Sequence, residues 1–205
     1  MNKLHKKLII ALSLPLVLLG CGSTPASNYY LLSAQAQQTP SGNSPAVGVG
    51  PIEIPQYLNR HAMVFNRDGN RLHIASFERW AEPLDSSILR VVRQNLASML
   101  NTQDVQAFPW SKSSRPEYGI AVTILNLDAN NDSAELVAEW HLSRPQSEET
   151  LMRRIDTLQV NLPAGEVSAA EVAAAYSELL YQLSGKIAAE IAADVTSRSD
   201  TAAAP

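Results

Sequence analysis

The chain has 205 residues, with 16 Lys and Arg against 20 Asp and Glu, which gives a formal net charge of −4. This length suits one domain with a substantial core. The absence of any run of basic residues argues against a surface that binds nucleic acid or anionic lipid headgroups, and a single cysteine excludes an intramolecular disulfide.

Residues 1–20 have the organisation of a secretory signal peptide, which is removed on export. Three lysines precede the apolar run Leu8–Leu19, which is shorter than the roughly 20 residues that span a bilayer. Gly20 then stands directly before Cys21. A small residue before a lone cysteine at this place is typical of a bacterial lipobox, so we expect a diacylglycerol thioether on Cys21. The alternative is an ordinary signal peptide followed by a chance cysteine.

A lipidated Cys21 implies permanent attachment to a membrane. Each buried methylene contributes about 0.8 kcal/mol, and several acyl chains together anchor a protein stably. Gly22, in place of the Asp that retains lipoproteins at the inner membrane, predicts export to the periplasmic face of the outer membrane. Residues 21–28 form a lipidated tether. Without the three signal lysines, 13 basic residues face 20 acidic ones, so the mature chain carries a net charge of −7.

Strands dominate the segment before the first predicted helix. Tyr29–Leu32 is a short strand candidate, and residues 33–46 are polar and rich in Ser, Gln and Pro, as in a surface loop. Val47–Ile54 is β-branched but interrupted by Gly and Pro, which predicts a strand with a bulge or edge character. Met63–Ile74 predicts a hairpin, because Asp68-Gly69 supplies the positive φ values of a two-residue turn.

Residues 84–100 change to helical spacing. The apolar positions that recur every three or four residues are Ile88, Leu89, Val92, Leu96, Met99 and Leu100. Asp85 is placed to cap the start of this helix. Val105–Trp110 then predicts a short strand that ends at Pro109.

The C-terminal half predicts a meander of three strands and a long helix. Tyr118–Leu127 and Ala134–Ser143 form a second hairpin, and Leu151–Leu162 adds a third strand. Ser168 and Glu171 have the spacing of a capping box. The helix that follows extends to about Val195, and residues 196–205 are small and polar, which predicts a disordered tail.

These elements predict a single α+β domain over residues 29–195. A mainly antiparallel sheet would carry two amphipathic helices packed on one face. The long last helix would bury its apolar stripe on this sheet and leave a side of small residues free, for solvent or for another subunit.

No motif for catalysis, for a cofactor or for a metal occurs in the sequence. His61, His73 and His141 lie far apart and have none of the short spacings of metal ligands. Gly48 and Gly50 are followed by Pro51 rather than by the start of a helix, which argues against a dinucleotide-binding loop. We therefore predict that the protein is not an enzyme.

Two short segments are candidates for contact with a partner or a second subunit. Trp and Arg are common in interface hot spots, and Arg79, Trp80 and Pro83 stand together immediately before the first helix. Tyr57 lies in a second candidate loop. The competing and favoured interpretation is that both segments are packed turns of the core.

Several motifs, in order and spacing, resemble the PqiC (YmbA) lipoprotein family. They are Cys21, Tyr29–Leu32, Val47–Arg60, Arg79–Leu84 with Gln94-Asn95-Leu96 after it, and Phe108-Pro109-Trp110. The resemblance is strongest over residues 47–110 and weak after about residue 143. Only Cys21 corresponds to a family residue of defined role, as the site of lipid attachment.

The resemblance implies an outer-membrane lipoprotein of an MCE-type system that moves phospholipid between the two membranes and maintains envelope integrity. The implied partners are an MCE-domain protein anchored in the inner membrane and, indirectly, a multispanning inner-membrane protein. Because MCE proteins form rings, a matching homo-oligomeric ring is a hypothesis of symmetry. The alternative function is a periplasmic carrier that holds a lipid in its own apolar cavity.

Overall fold

Eight strands and two α-helices follow one another within residues 25–35, 38–68, 70–111, 113–163 and 167–203, the parts of the chain that the computed structural model describes. The strands are β1 (Asn28–Tyr30), β2 (Val47–Glu53), β3 (Ala62–Asp68), β4 (Arg71–Trp80), β5 (Val105–Ala107), β6 (Tyr118–Ala129), β7 (Ser133–Arg144) and β8 (Glu149–Asn161). The helices are α1 (Leu84–Met99) and α2 (Ala169–Ala203), and a 3-10 turn covers Gln56–Leu58. The predicted signal peptide and Cys21 lie outside the described residues.

The larger sheet has five strands in the order β5-β2-β6-β7-β8. The predicted meander is confirmed, because β6 pairs antiparallel with β7 and β7 pairs antiparallel with β8. In β7 the predicted alternation also holds: one face carries the buried residues Ala134, Leu136, Ala138, Trp140 and Leu142. On the other side of β6, strand β2 runs parallel to both of its neighbours, β5 and β6.

The smaller sheet has three strands in the order β1-β4-β3. The hairpin predicted from Met63 to Ile74 is confirmed as the antiparallel pair of β3 and β4. Asp68, predicted as the first residue of the turn, instead ends β3 and pairs with Arg71, while Gly69 is not among the described residues. The short strand predicted at Tyr29–Leu32 is confirmed as β1, which runs parallel to β4 with Tyr29 opposite Arg79.

The α+β class and the single domain are confirmed, but the strands do not form one mainly antiparallel sheet. They divide into two sheets that each contain parallel and antiparallel pairs. Hairpins are visible in a sequence because their strands are neighbours in the chain, whereas β1 with β4 and β2 with β6 join distant segments. The sequence pattern alone therefore did not reveal the parallel pairs.

Strand β2 has the predicted bulge, since its register against β6 shifts between Val49 and Ile52. It is not an edge strand over its first half, where Val47–Val49 pairs with β5 on one side and β6 on the other. Gly50, which follows, has a φ of 114°, a value that side chains with a Cβ rarely adopt. This residue therefore needs to be glycine for the strand to change register.

Helix α1 confirms the prediction for residues 84–100, and its apolar stripe is fully buried at Ile88, Val91, Val92 and Leu96. The predicted cap at Asp85 is wrong. Pro83 occupies the N-cap position without a side-chain hydrogen bond, and Asp85 lies one step inside the first turn. A carboxylate in the first turn still interacts favourably with the positive end of the helix dipole.

Helix α2 begins at the predicted capping box. The amide of Ser168 donates to Glu171 Oε2 at 2.8 Å, and the amide of Glu171 donates back to Ser168 Oγ at 3.3 Å. The helix runs beyond Val195 to Ala203, so the prediction of a disordered tail from residue 196 is wrong as far as residue 203. Polar side chains here bond to carbonyls of the preceding turn, as Thr196 does to Ala192 at 2.9 Å.

The core lies between the larger sheet and the two helices. Helix α1 packs on β2 and β5, while α2 packs on α1 and on β6, β7 and β8. The side chains that fill this layer and are fully buried include Ile88, Leu96, Ile120, Ile124, Trp140, Leu179, Leu183 and Ile187. Both helices therefore cover the same face of the larger sheet, as predicted.

Residues 33–46, predicted as a surface loop, are in part held along the helices. We call residues 31–35 and 38–42 the strap. Its backbone amides donate to side chains or carbonyls of the helical layer: Ser33 to Ser177 Oγ (3.0 Å), Gln35 to Asn95 Oδ1 (3.1 Å), Gln38 to Ser98 Oγ (3.2 Å) and Gly42 to the Asn101 carbonyl (3.1 Å). Polar helix residues thus replace a sheet as the partners of this extended segment.

Candidate functional site

The corner after β4, where the sequence placed a candidate contact, is tied into the core by Trp80. This side chain is 4% exposed and stacks on Tyr176 of α2, with ring centroids 6.2 Å apart. The amide of Trp80 donates to the His61 carbonyl at 2.7 Å. Trp80 is therefore a core residue, in agreement with the competing interpretation, and is not available to a partner.

The two other candidates of this corner lie nearer the surface. Arg79 occupies the central strand of the smaller sheet, paired with Tyr29 on one side and Ala62 on the other, and is partly exposed. Pro83 is exposed and caps α1, its carbonyl accepting the amide of Ser87 at 3.0 Å. Arg79 and Pro83 are thus both accessible, but Arg79 belongs to the smaller sheet and Pro83 to the start of α1.

An ion pair fixes the start of α1 to the strap. Arg90 donates from Nη2 to Glu82 Oε1 at 2.6 Å and to the Leu32 carbonyl at 2.9 Å. The hydrogen bond from Arg90 lowers the pKa of the Glu82 carboxyl, an effect that exceeds the opposing effect of its partial burial. One guanidinium therefore joins three segments: the corner, α1 and the chain that leaves β1.

Tyr57, the candidate of the second loop, lies in the 3-10 turn and is partly buried against the core. Its hydroxyl donates to Asn126 Oδ1 of β6 at 3.1 Å. Burial raises the pKa of this hydroxyl, and the nearby Asp128 carboxylate raises it further. The side chain thus fixes the turn to the larger sheet, which is the packing role of the competing interpretation.

Two glycines of β2 make room for an aromatic pair. Phe108 and Trp110 meet edge to face with centroids 5.2 Å apart. A Cβ on Gly48 would lie 2.6 Å from the Trp110 ring, and one on Gly50 would lie 2.9 Å from Phe108 Cβ. The two glycines, whose spacing superficially suggests a nucleotide-binding loop, therefore serve close packing. They let β2 contact the aromatic pair, which lies about 60 residues later in the chain.

A polar network that the sequence did not reveal joins the larger sheet to the end of α2. Asp194 accepts a hydrogen bond from the Tyr118 hydroxyl at 2.6 Å and two from Arg144 at 2.7 and 2.8 Å. Burial raises the pKa of Asp194, but the hydrogen bonds from Tyr118 and Arg144 outweigh burial and hold this pKa below its ordinary value. Arg144 also donates to Glu149 at 2.8 Å.

This network is structural in its geometry. Each oxygen of the Asp194 carboxylate already accepts a strong hydrogen bond, and the carboxylate is only 23% exposed. A cleft of about 320 Å³ beside it is lined by side chains such as Leu151 and Met152. The network could not be predicted from the sequence, because Tyr118, Arg144 and Asp194 lie on three elements that are distant in the chain.

One face of the smaller sheet exposes apolar side chains. Residues directly opposite one another share a face, as do alternate residues of a strand. The register therefore places seven positions on one face: Tyr29, Ala62, Val64, Asn66, Leu72, Ile74 and Arg79. Val64 is the buried member of this set, at 5% exposure. Tyr29 is 65% exposed, Ile74 49% and Leu72 42%. We call these seven positions the outer face of the smaller sheet.

The layer between the larger sheet and the helices is filled by side chains, as its buried residues show. An apolar cleft of about 290 Å³ lies at the edge of this layer, between the end of β8 and the first turns of α2. Its volume is at the lower limit for pockets that hold drug-sized ligands, about 300 Å³. The described interior therefore gives no support to a lipid-carrying cavity.

His73 and His141 lie in different sheets. His73 stacks on Phe65 with centroids 6.4 Å apart, and His141 lies on β7 opposite Ala121 and Arg153. Over the described ranges, no three His, Cys, Asp or Glu side chains converge as metal ligands would. Neither described helix has the combination of length and hydropathy that a membrane span requires.

The fold is shared with solved structures of low sequence identity. A crystal structure of an uncharacterised protein has a TM-score of 0.65 and 20% identity, covering 82% of this chain and 99% of that one. The protein XCC0632 from Xanthomonas campestris has a TM-score of 0.67 and 14% identity, covering 85% and 99%. Both likenesses concern the fold alone.

Sequence comparison identifies the family. No curated protein matches the chain. The model of a family described as the ABC-type transport auxiliary lipoprotein component matches residues 29–188, which is most of the chain. The resemblance to PqiC (YmbA) lipoproteins seen in the sequence is thereby confirmed, as is the broad assignment to a membrane-anchored lipoprotein of a transport system rather than to a known enzyme family. The chain belongs to the family of ABC-type transport auxiliary lipoproteins.

Proposed function

We propose that this lipoprotein is the outer-membrane-anchored subunit of an MCE-type system that moves phospholipid between the two membranes. In this role it docks the periplasmic MCE assembly to the outer membrane and supports envelope integrity. The observation that carries the proposal is the family match over residues 29–188, which begins eight residues after Cys21.

The anchor is the lipid on Cys21 in this proposal. Asn28, the first residue of β1, is the seventh residue after Cys21. A fully extended chain of that length spans at most about 25 Å. The folded domain would thus stay close to the membrane. In this proposal Gly22 allows export, so that membrane is the outer membrane and the domain is on its periplasmic face.

A docking role fits the described interior better than the alternative of a lipid carrier. A carrier needs an apolar cavity that encloses most of its ligand. Here Trp140, Leu183 and Ile187 fill the space between sheet and helix, each with no measurable exposure. The phospholipid would then pass through the partner assembly and not through this domain.

The partner in this proposal is an MCE-domain protein anchored in the inner membrane, and a multispanning inner-membrane protein is linked indirectly through it. MCE proteins form rings, and a ring of this lipoprotein would match their symmetry. The contact surface would use accessible residues, of which Pro83 and Arg79 are candidates from the corner before α1.

Co-purification tests this proposal. The lipidated protein is immobilised in detergent and, separately, in nanodiscs, and is mixed with the periplasmic part of its proposed MCE partner. We expect a complex in both settings, and also with the mature chain made without lipid, because docking is a contact between folded domains. Absence of a complex in all three settings would contradict the proposal.

Native mass spectrometry separates docking from lipid carriage. The protein released gently from membranes is weighed with and without its MCE partner. We expect the covalent lipid on Cys21 and no additional phospholipid on the isolated domain. A stoichiometric phospholipid on the unlipidated mature chain would favour the carrier instead.

A further inference from the structure

We propose that the outer face of the smaller sheet rests on the interfacial region of the bilayer to which the protein is anchored. The inference deepens the proposed function and rests on its lipid anchor at Cys21. The anchor holds the chain at the membrane, while this face would set which way the domain points.

The length of the tether brings this face to the membrane. Strand β1 is the first element of the described chain, and its residue Tyr29 belongs to the outer face. Tyr29 is the eighth residue after Cys21, so the tether reaches no farther than about 28 Å. Strand β4 lies beside β1, at the usual spacing of about 4.8 Å between strands.

The chemistry of the face suits the boundary between acyl chains and headgroups. Tyr29, Leu72 and Ile74 are its most exposed members, and Phe77 in the irregular part of β4 is 40% exposed. Leu31 follows β1 and is 52% exposed. Tyrosine places an apolar ring and a polar hydroxyl at this boundary, and an arginine stem covers apolar surface while its charge stays in water.

The charge of the face is compatible with phospholipid headgroups. Its seven positions include one arginine, Arg79, and no carboxylate. The neighbouring acid Glu78 belongs to the opposite face, where its Oε1 accepts a hydrogen bond from Asn28 Nδ2 at 3.0 Å. These seven positions of an otherwise acidic chain thus carry no negative charge.

Quenching by brominated lipid tests the orientation. The full-length lipoprotein is isolated in lipidated form and placed in vesicles of phosphatidylethanolamine and phosphatidylglycerol with brominated acyl chains. Three variants, Ile74→Cys, Leu31→Cys and Ile155→Cys, are each labelled with a small thiol-reactive fluorophore. The introduced thiol is the only free one, because the natural cysteine carries the lipid. Thermal unfolding checks that each labelled variant is folded.

Ile155 supplies the matched control, since it is an isoleucine with 60% exposure on β8, the far edge strand of the larger sheet. Its neighbour Arg154 pairs with Glu190 of α2, so Ile155 is on the sheet face away from the helices. We expect the label at position 74 to lose most of its emission in brominated vesicles and the label at position 155 to keep it.

The outcomes separate this inference from the anchor. Quenching at position 31 with none at position 74 would overturn the inference and leave the anchor intact. Equal quenching at positions 74 and 155 would also overturn it, since the domain would have no fixed orientation. Protein that carries no lipid on Cys21 and does not float with the vesicles would overturn both the inference and the proposed function.

Discussion

Trp80 stacks on Tyr176 with the two ring planes inclined by 27°, and this contact joins the end of β4 to the second helix. Both rings are buried, so the smaller sheet shares the core of the larger one. The hydroxyl of Tyr176 has no hydrogen-bond partner among the described residues, and burial raises the pKa of this hydroxyl well above its ordinary value.

Loss of the Trp80 ring is expected to destabilise the domain strongly. We expect Trp80→Ala to lower the free energy of unfolding by about 3–5 kcal/mol, because it removes buried apolar area and leaves a cavity beside Tyr176. Urea unfolding followed by circular dichroism measures this. Phe77→Ala is the matched control, since Phe77 is 40% exposed on the same strand. Equal losses in the two variants would show that Trp80 has no core role.

Removal of two buried tyrosine hydroxyls is expected to have opposite consequences. Tyr176→Phe removes a hydroxyl that has no partner among the described residues, so the free energy of unfolding should stay equal or rise. Tyr118→Phe removes a 2.6 Å hydrogen bond to a carboxylate and should cost about 1.5–3 kcal/mol. Chemical denaturation of both variants makes the comparison. A larger loss for Tyr176→Phe than for Tyr118→Phe would contradict the packing described here.

Asp194 is expected to contribute to the loss of stability in acid. Its folded-state pKa lies below the unfolded value of about 3.9, so its stabilising contribution is complete above that value and is lost as the pH falls through the folded-state pKa. Asp194→Asn should therefore lower stability at neutral pH and flatten its decline between about pH 5 and pH 2.

Urea unfolding at a series of pH values measures this decline. Part of the slope should remain in the Asn variant, because the pKa values of Glu82, Asp156 and Glu171 are also lowered in the folded state. Ser199→Ala, on the exposed end of α2, removes no titratable group and is the control that should leave the slope unchanged. An unchanged slope in Asp194→Asn would contradict the assignment.

Cys21→Ala is expected to abolish lipid attachment and removal of residues 1–20. The reason is chemical, since the thiol sulfur is the atom that would carry the diacylglycerol. Intact-mass analysis of the protein from membrane and soluble fractions measures both events. A variant that still matured and still partitioned with outer membranes would show that Cys21 is not the anchor.

The sequence predicted the elements whose partners are near in the chain. The hairpin of β3 and β4 could be predicted from its turn residues, although its register could not, and the contact of Ser168 with Glu171 could be predicted from the spacing of a capping box. Both depend on interactions within about ten residues. Side-chain alternation in β7 was equally accessible, because one half-buried strand determines it locally.

The errors arose where distant or competing interactions decide the structure. Asp85 has the chemistry of a cap, but Pro83 already occupies the position that begins the helix. The residues after Val195 are small and polar, yet Arg198 reaches Glu117 across the fold and supports the last turns of α2. Neither partner is predictable from the local pattern.

The candidate site shows the same division. Trp80 was recognised as either a contact or a core residue, and only its stacking on Tyr176 decides between them. The outer face of the smaller sheet escaped the sequence pattern because the register of β4 shifts between its pairings with Ala62 and Val64. That irregularity breaks the simple alternation by which a strand face is read from residue spacing.

The contacts of the N-terminal segment, taken in chain order, determine how the domain would respond to a force on its anchor. A pull on the chain at Pro25 first reaches β1, a strand of three residues held on one side by β4. The strap comes next, and its amides are bonded to separate helix side chains that would yield one after another. Strand β2, which follows the strap, lies inside the larger sheet. A pulling force would therefore break the pairing of β1 with β4 and the hydrogen bonds of the strap before it reaches the core.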